Sequence, residues 1–205
     1  MFALVDNEQI TKHLSGNRGI TLGDIQYPRS IFTLWSAAER EAIGIYEVVW
    51  DNTNKKDEAY YNNTDVIYGY ASEVVTASYG SATAKPHADT LFTAQDEIDD
   101  KGTEGELKAR GLKYNLIQTV KAQAAGILQE TDWYIVRKAD AGTAVPSAIT
   151  THRAAVRTKC AEMETAITNA ADTPAIETLY TNVNTGTEEN PVIERPLGEL
   201  PRLES

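Results

Sequence analysis

The sequence contains a single cysteine, Cys160, so no intramolecular disulfide can form and the core must rest on packing alone. That usage fits a reducing compartment. Histidine is also scarce. His13, His87 and His152 lie far apart and form no zinc pattern. His87-x-Asp89 is a two-ligand fragment with nothing evident to complete it. No run of about 18 apolar residues occurs, so no transmembrane helix is expected. The opening Met1–Asp6 lacks a basic region and a long apolar stretch, so no secretory signal is expected. Positive charge is limited: 19 Lys and Arg stand against 30 Asp and Glu, a net charge of -11. So acidic a chain is poorly suited to neutralising phosphates, which excludes nucleic acid as the expected partner and favours a basic protein surface. Serine, cysteine, zinc and P-loop signatures are all missing. The chain is therefore read as a non-enzyme, with no catalytic residue, no metal and no cofactor.

What is present is a globular composition. Hydrophobic residues make up 41% and charged residues 24%, so most of the chain should fold. The predicted class is α+β: a small N-terminal β-rich domain, then a C-terminal antiparallel helical hairpin, then an extended tail. The expected boundaries are a β-rich domain with one short helix over 1–95, an acidic linker over 96–106, a helical hairpin over 107–181 and a Pro-containing arm over 182–205.

In the first part, Phe2–Val5 and Gln9–Leu14 read as short strands around an Asp6-Asn7-Glu8 turn. Ile31–Trp35 reads as another short strand. Ser36-Ala37-Ala38-Glu39 is a capping box, and Gly44 suits a left-handed helix end, which predicts a helix over Ala37–Ile43. Ile45–Trp50 is β-branched and aromatic, a good strand. Val66–Tyr70 and Glu73–Tyr79 read as a hairpin or edge strands, with Val75, Ala77 and Tyr79 on the half-buried face. Tyr60, Tyr61, Tyr68 and Tyr70 are read first as cross-strand packing and second as a partner-binding surface. Asp96–Glu106 carries six acids against Lys101 alone. It lacks the register of an EF-hand loop, so a solvated linker or a helix-initiating acidic turn is the expected reading.

The last third is helical by period. One stripe runs Leu112, Leu116, Ile117, Val120, Ala124, Ile127, Leu128. A second helix starts near Pro146 with the stripe Ile149, His152, Val156, Cys160, Met163, Ile167, Ala170. A connection of about fifteen residues makes the two pack antiparallel. Thr173 is the expected N-cap of a short helix over Pro174–Tyr180. The tail carries Val192, Ile193, Leu197, Leu200 and Leu203, more apolar residues than a spacer needs, and reads as an arm lying on this domain or on a partner.

Between the two stripes stands Thr131-Asp132-Trp133, where the first helix ends. Arg153 and Arg157 lie one turn apart on the second helix. An Arg fork can hold a carboxylate with two hydrogen bonds. Asp132 is therefore expected to pair with Arg153, with Trp133 buried beside them and Arg157 completing a clamp. No nucleophile or base converges on the corner, so a structural role is preferred to a catalytic one.

These residues resemble a family. A helix ending Leu-x-x-Thr/Ser-Asp-Trp, followed by a helix with Tyr-Arg-x-x-Leu-Arg, recurs in phage tail-fibre assembly proteins and related small tail-associated proteins. The pattern here is Leu128, Thr131, Asp132, Trp133, then His152, Arg153, Val156, Arg157, with His152 in place of the Tyr and Val156 in place of the Leu. Tyr134-Ile135-Val136-Arg137-Lys138 is similar to the family's variants. So are the opening strand pair, the segment Trp35-Ser36-x-x-Glu39, and Gly44-Ile45-Tyr46-x-Val48. The resemblance spans residues 1–50 and 107–170. It implies a protein that binds tail-fibre or baseplate subunits, as a virion component or as an assembly chaperone absent from the mature particle. The implied location is the virion tail, or the host cytoplasm during assembly. A homo-oligomer is compatible with either role, and no membrane partner is implied.

Overall fold

The computed structural model describes residues 1–203. Helices and strands both contribute, as expected of an α+β chain. Contacts divide the chain into two compact units, one from Met1 to Thr83 and one from Ala84 onward.

The first unit opens with β1 (Phe2–Asp6) and β2 (Gln9–Leu14). Asn7 and Glu8 both have positive φ (47° and 59°), the two-residue turn whose twist matches a hairpin. Next come β3 (Ile20–Leu22) and β4 (Ile25–Tyr27), an antiparallel pair. They are followed by α1 (Ile31–Leu34), α2 (Ala37–Glu41) and β5 (Ile45–Asp51). The two-residue β6 (Tyr61–Asn62) precedes the hairpin of β7 (Val66–Ala71) and β8 (Val74–Tyr79), and β9 (Thr83–Ala84) falls at the boundary of the unit. The sheet order is β2-β1-β5-β8-β7, antiparallel except for the parallel pair β5 and β8. The sheet curls until its edge strands β2 and β7 approach, with the His13 and Tyr68 rings 4.2 Å apart. Ala3, Val5, Val48, Val75 and Ala77 fill the inner face, where small side chains permit the curl. On the outer face Leu14 and Ile45 are buried with Ile20, Ile31 and Phe32.

One expected strand is a helix. All of Ile31–Trp35 but Trp35 winds as α1, because Ile31 and Phe32 donate to the Pro28 and Arg29 carbonyls at 3.3 and 3.1 Å, and Leu34 donates to the Ser30 carbonyl at 2.8 Å. An apolar run this short fits either period, and only the helical turn buries Ile31 and Phe32 together. The α2 capping box forms in both directions: the Glu39 N–H donates to Ser36 Oγ at 3.3 Å, and the Ser36 N–H to Glu39 Oε2 at 2.8 Å. Gly44 has φ 78° just beyond it.

The second unit begins before the acidic run. It holds β10 (Thr90–Leu91), α3 (Ala94–Ile98), β11 (Leu107–Ala109), α4 (Leu112–Gln129), α5 (Asp132–Ala141), α6 (Ser147–Asn169) and α7 (Thr173–Tyr180). Two short strands, β12 (Val183–Asn184) and β13 (Ile193–Glu194), pair antiparallel. Of the two readings of the acidic run, a solvated linker or a helix-initiating acidic turn, the second holds for its start, which is built around Asp96 at the head of α3. Thr93 and Asp96 form a second capping box, and Lys108 of β11 reaches the Asp96 carboxylate at 2.7 Å. The Thr93 N–H and hydroxyl donate to its other oxygen at 3.0 and 2.9 Å.

The Lys108 hydrogen bond, then the two from Thr93, hold the Asp96 carboxyl well below the usual carboxylate range. With the folded pKa depressed, this contribution is complete above the unfolded value of about 3.9 and is lost as pH falls below it. Urea denaturation over a pH series should show stability declining through acid pH. Asp96→Asn should flatten part of that decline, and an unchanged profile would contradict the assignment.

Helices α4 and α6 run in opposite directions. Lys113 Nζ donates to the Thr168 carbonyl at 2.8 Å, Lys121 pairs with Glu164 at 3.0 Å, and Arg153 reaches the Leu128 carbonyl at 2.6 Å. Every residue of the α6 stripe, Ile149 to Ala170, is buried. The connection between them is not a loop but contains α5. Asp172, one residue before the expected N-cap, caps α7 through the Ala175 N–H at 2.8 Å. Thr173 instead donates to the Lys85 carbonyl at 2.7 Å. Nor is the tail wholly extended. After the β12–β13 pair it returns to the helices, where Leu197 is 3% exposed.

Candidate functional site

The corner at Thr131 joins three helices. The Leu128 carbonyl, near the end of α4, accepts from the Thr131 N–H (3.1 Å), the Thr131 hydroxyl (3.0 Å) and Arg153 Nη1 (2.6 Å). Arg153 Nη1 also donates to Thr131 Oγ1 at 2.7 Å, and Nη2 lies 2.8 Å from Asp132 Oδ1. Arg153 is buried, whereas the Asp132 side chain is 54% exposed. A guanidinium thus sits at the C-terminal end of α4, where the helix dipole favours a cation. Asp132 occupies the first turn of α5, where an anion is favoured.

Two members of the expected clamp lie elsewhere. Arg157 is exposed and donates to the Arg153 carbonyl at 3.4 Å, because the next turn of α6 has moved past the corner. Trp133 is 52% exposed, because Thr131 fills the buried position and α5 turns its own residues outward. The Trp133 indole stacks with Tyr134 at 3.9 Å between centroids, and the Arg137 guanidinium lies 4.7 Å from its ring. Ile135 and Val136 are exposed as well, and α5 buries no residue. The sequence signal for this surface was the Trp133/Arg137 spacing of four, one turn of helix.

The other candidate partner-binding residues divide. Tyr60 and Tyr61 are buried, which removes them from any surface. Tyr68 stacks on His13, and Tyr70 meets Tyr46 edge-on at 5.1 Å with hydroxyls 3.2 Å apart. That hydrogen bond, with burial behind it, pushes the Tyr70 phenol up to about 12. These rings line the sheet's inner face. In the tail, Leu197 is buried and Leu200 packs in part, while Val192, Ile193 and Leu203 are exposed.

The carboxylate of the His87-x-Asp89 fragment is already engaged within the protein. Asp89 accepts from the Gly111 N–H at 2.9 Å and from Arg110 at 2.6 Å, so both carboxylate oxygens are engaged. No group of three His, Cys, Asp or Glu suited to a metal occurs among the described residues. Burial pushes the Cys160 thiol up, away from the thiolate a nucleophile needs. Comparison with protein families, curated proteins and solved structures finds no match.

Proposed function

We propose that this chain is a phage tail-associated protein, structural or assembly-related, that acts by binding tail-fibre or baseplate subunits. One observation carries the reading beyond the sequence resemblance: Trp133 stands half in solvent against the partly buried Tyr134 and Arg137, on a helix with no fully buried residue. A ten-residue helix with no fully buried residue is marginal by itself, so a partner that covered its exposed side would also stabilise it. Trp, Tyr and Arg dominate the energetic centres of protein interfaces.

Mass spectrometry of purified virions tests the proposal. Stoichiometric presence supports a structural subunit. Absence from virions, with co-purification of a fibre or baseplate subunit from infected cells, supports an assembly factor. Absence from virions with no co-purifying fibre or baseplate subunit would overturn the proposal. Trp133→Ala should change folding stability by no more than about 0.5 kcal/mol, since the indole is half in solvent. It should weaken subunit binding by about 2 kcal/mol or more. Calorimetric titration beside thermal denaturation separates the two effects.

A further inference from the structure

The segment from Arg195 to Leu203 is seated on the second unit, and we propose that it is exchangeable: the same segment of a second copy of this chain takes the same seat. The proposal does not rest on the phage reading.

The seat is specific. Leu197 is buried in the cluster that includes Val120, Met163 and Ile167, and its N–H donates to the Leu179 carbonyl at 3.0 Å. Gly198 passes over Lys159, so closely that a Cβ there would come 2.8 Å from Nζ. The segment also carries its own shape. The Gly198 N–H closes a turn onto the Arg195 carbonyl at 2.8 Å, with Pro196 at the second position and Gly198 at φ 73°. A turn pre-set by proline loses little conformational freedom on docking.

The attachment is nevertheless limited. Leu200 packs only in part, Leu203 is exposed, and a cleft of 660 Å³ remains, lined by Gln123, Ile127, Met163, Arg195, Leu200 and Leu203. Segments with few buried contacts open locally before the rest of a domain unfolds. The chain leading to the seat is equally pliable. Between α7 and Arg195 stands only the β12–β13 pair, two exposed residues per strand, and such a small ladder is marginal. Released, the stretch from Thr181 to Glu194 reaches about 45 Å, enough to span to a neighbour. The one sequence seen to fit this seat is the chain's own, so the natural occupant from outside is a second copy. Exchange of identical elements re-forms every contact in the partner.

The test uses the full chain and a labelled peptide with the sequence of residues 195–203. Leu197→Ser removes the anchor, and Gly198→Val strains the turn while leaving the seat intact. Both variants should bind the peptide saturably and at least ten-fold more tightly than the wild type, whose seat is filled. Wild-type protein refolded at high concentration should give a dimer fraction by light scattering, and Leu197→Ser should lose it. Equal peptide binding by all three proteins, no binding by the folded variants, or a wild type that stays monomeric would overturn the proposal. Loss of fold in both variants would overturn it too, because an exchangeable segment is not required to hold its own seat together.

Discussion

Arg153→Ala is expected to destabilise the second unit by about 2–4 kcal/mol, while Asp132→Ala costs about 1 kcal/mol or less. The asymmetry follows from burial. The guanidinium is shielded and serves two acceptors besides the carboxylate, the Leu128 carbonyl and the Thr131 hydroxyl. Its removal leaves a buried hydroxyl and the end of α4 without their cation. The Asp132 carboxylate, about half in water, is screened and rehydrates readily when its partner is lost. Arg153→Lys should lie between them, because an ammonium keeps the charge but not the planar fork that reaches Thr131, Leu128 and Asp132 together. Urea denaturation followed by helical circular dichroism measures all three. Equal losses for Arg153→Ala and Asp132→Ala would mean that the ion pair, rather than the helix-end hydrogen bonds, holds the corner.

Gly44→Ala should be of comparable size, about 2–4 kcal/mol, in the first unit. Two penalties meet there. Gly44 has φ 78°, a conformation that any other L-residue adopts at a cost of about 1–2 kcal/mol. A Cβ would also stand 2.6 Å from the Val5 carbonyl oxygen, which is backbone and cannot swing aside. The close approach has its own cause: the Val5 N–H donates to the Gly44 carbonyl at 2.8 Å, tying β1 to the end of the α2 segment. Gly142 provides the control. It has φ 68° after α5, but nothing lies within 4 Å of its Cβ position. Gly142→Ala should therefore lose only about 1 kcal/mol, the conformational part alone. If the two variants unfold with the same loss on thermal denaturation, the steric account of Gly44 is wrong.

These two glycines mark the limit of what the sequence makes legible. Gly44 is readable because a capping box stands eight residues before it and a β-branched strand follows. The long α6 stripe is readable because its spacing of three and four persists over six turns, more than chance allows. The Asp132–Arg153 contact is readable from charge and separation. Part of what escapes traces to the expectation that apolar side chains go inside and charged ones outside. Trp133, Ile135 and Val136 do not, so the stretch containing α5 shows no stripe and reads as connection. Asp96 is the reverse case, a buried carboxylate in a run that looks solvated, although Thr93 and Asp96 repeat the capping logic of Ser36 and Glu39. The tail could be read as apolar but not as seated, since the seat of Leu197 is made by residues of α4, α6 and α7 that are distant in sequence. The parallel ladder between β5 and β8 joins residues 27 positions apart, as in Val48 with Val75, and no local pattern encodes it.

That ladder bears on how the first unit folds. The β1–β2 and β7–β8 hairpins close over two-residue turns, so each can form within its own stretch of chain. Within the sheet they are joined through β5, antiparallel to β1 and parallel to β8. The entropy of closing the long loops therefore falls almost wholly on one strand. β5 is the strand that joins the two hairpins into one sheet, and the curl of that sheet brings His13 to Tyr68.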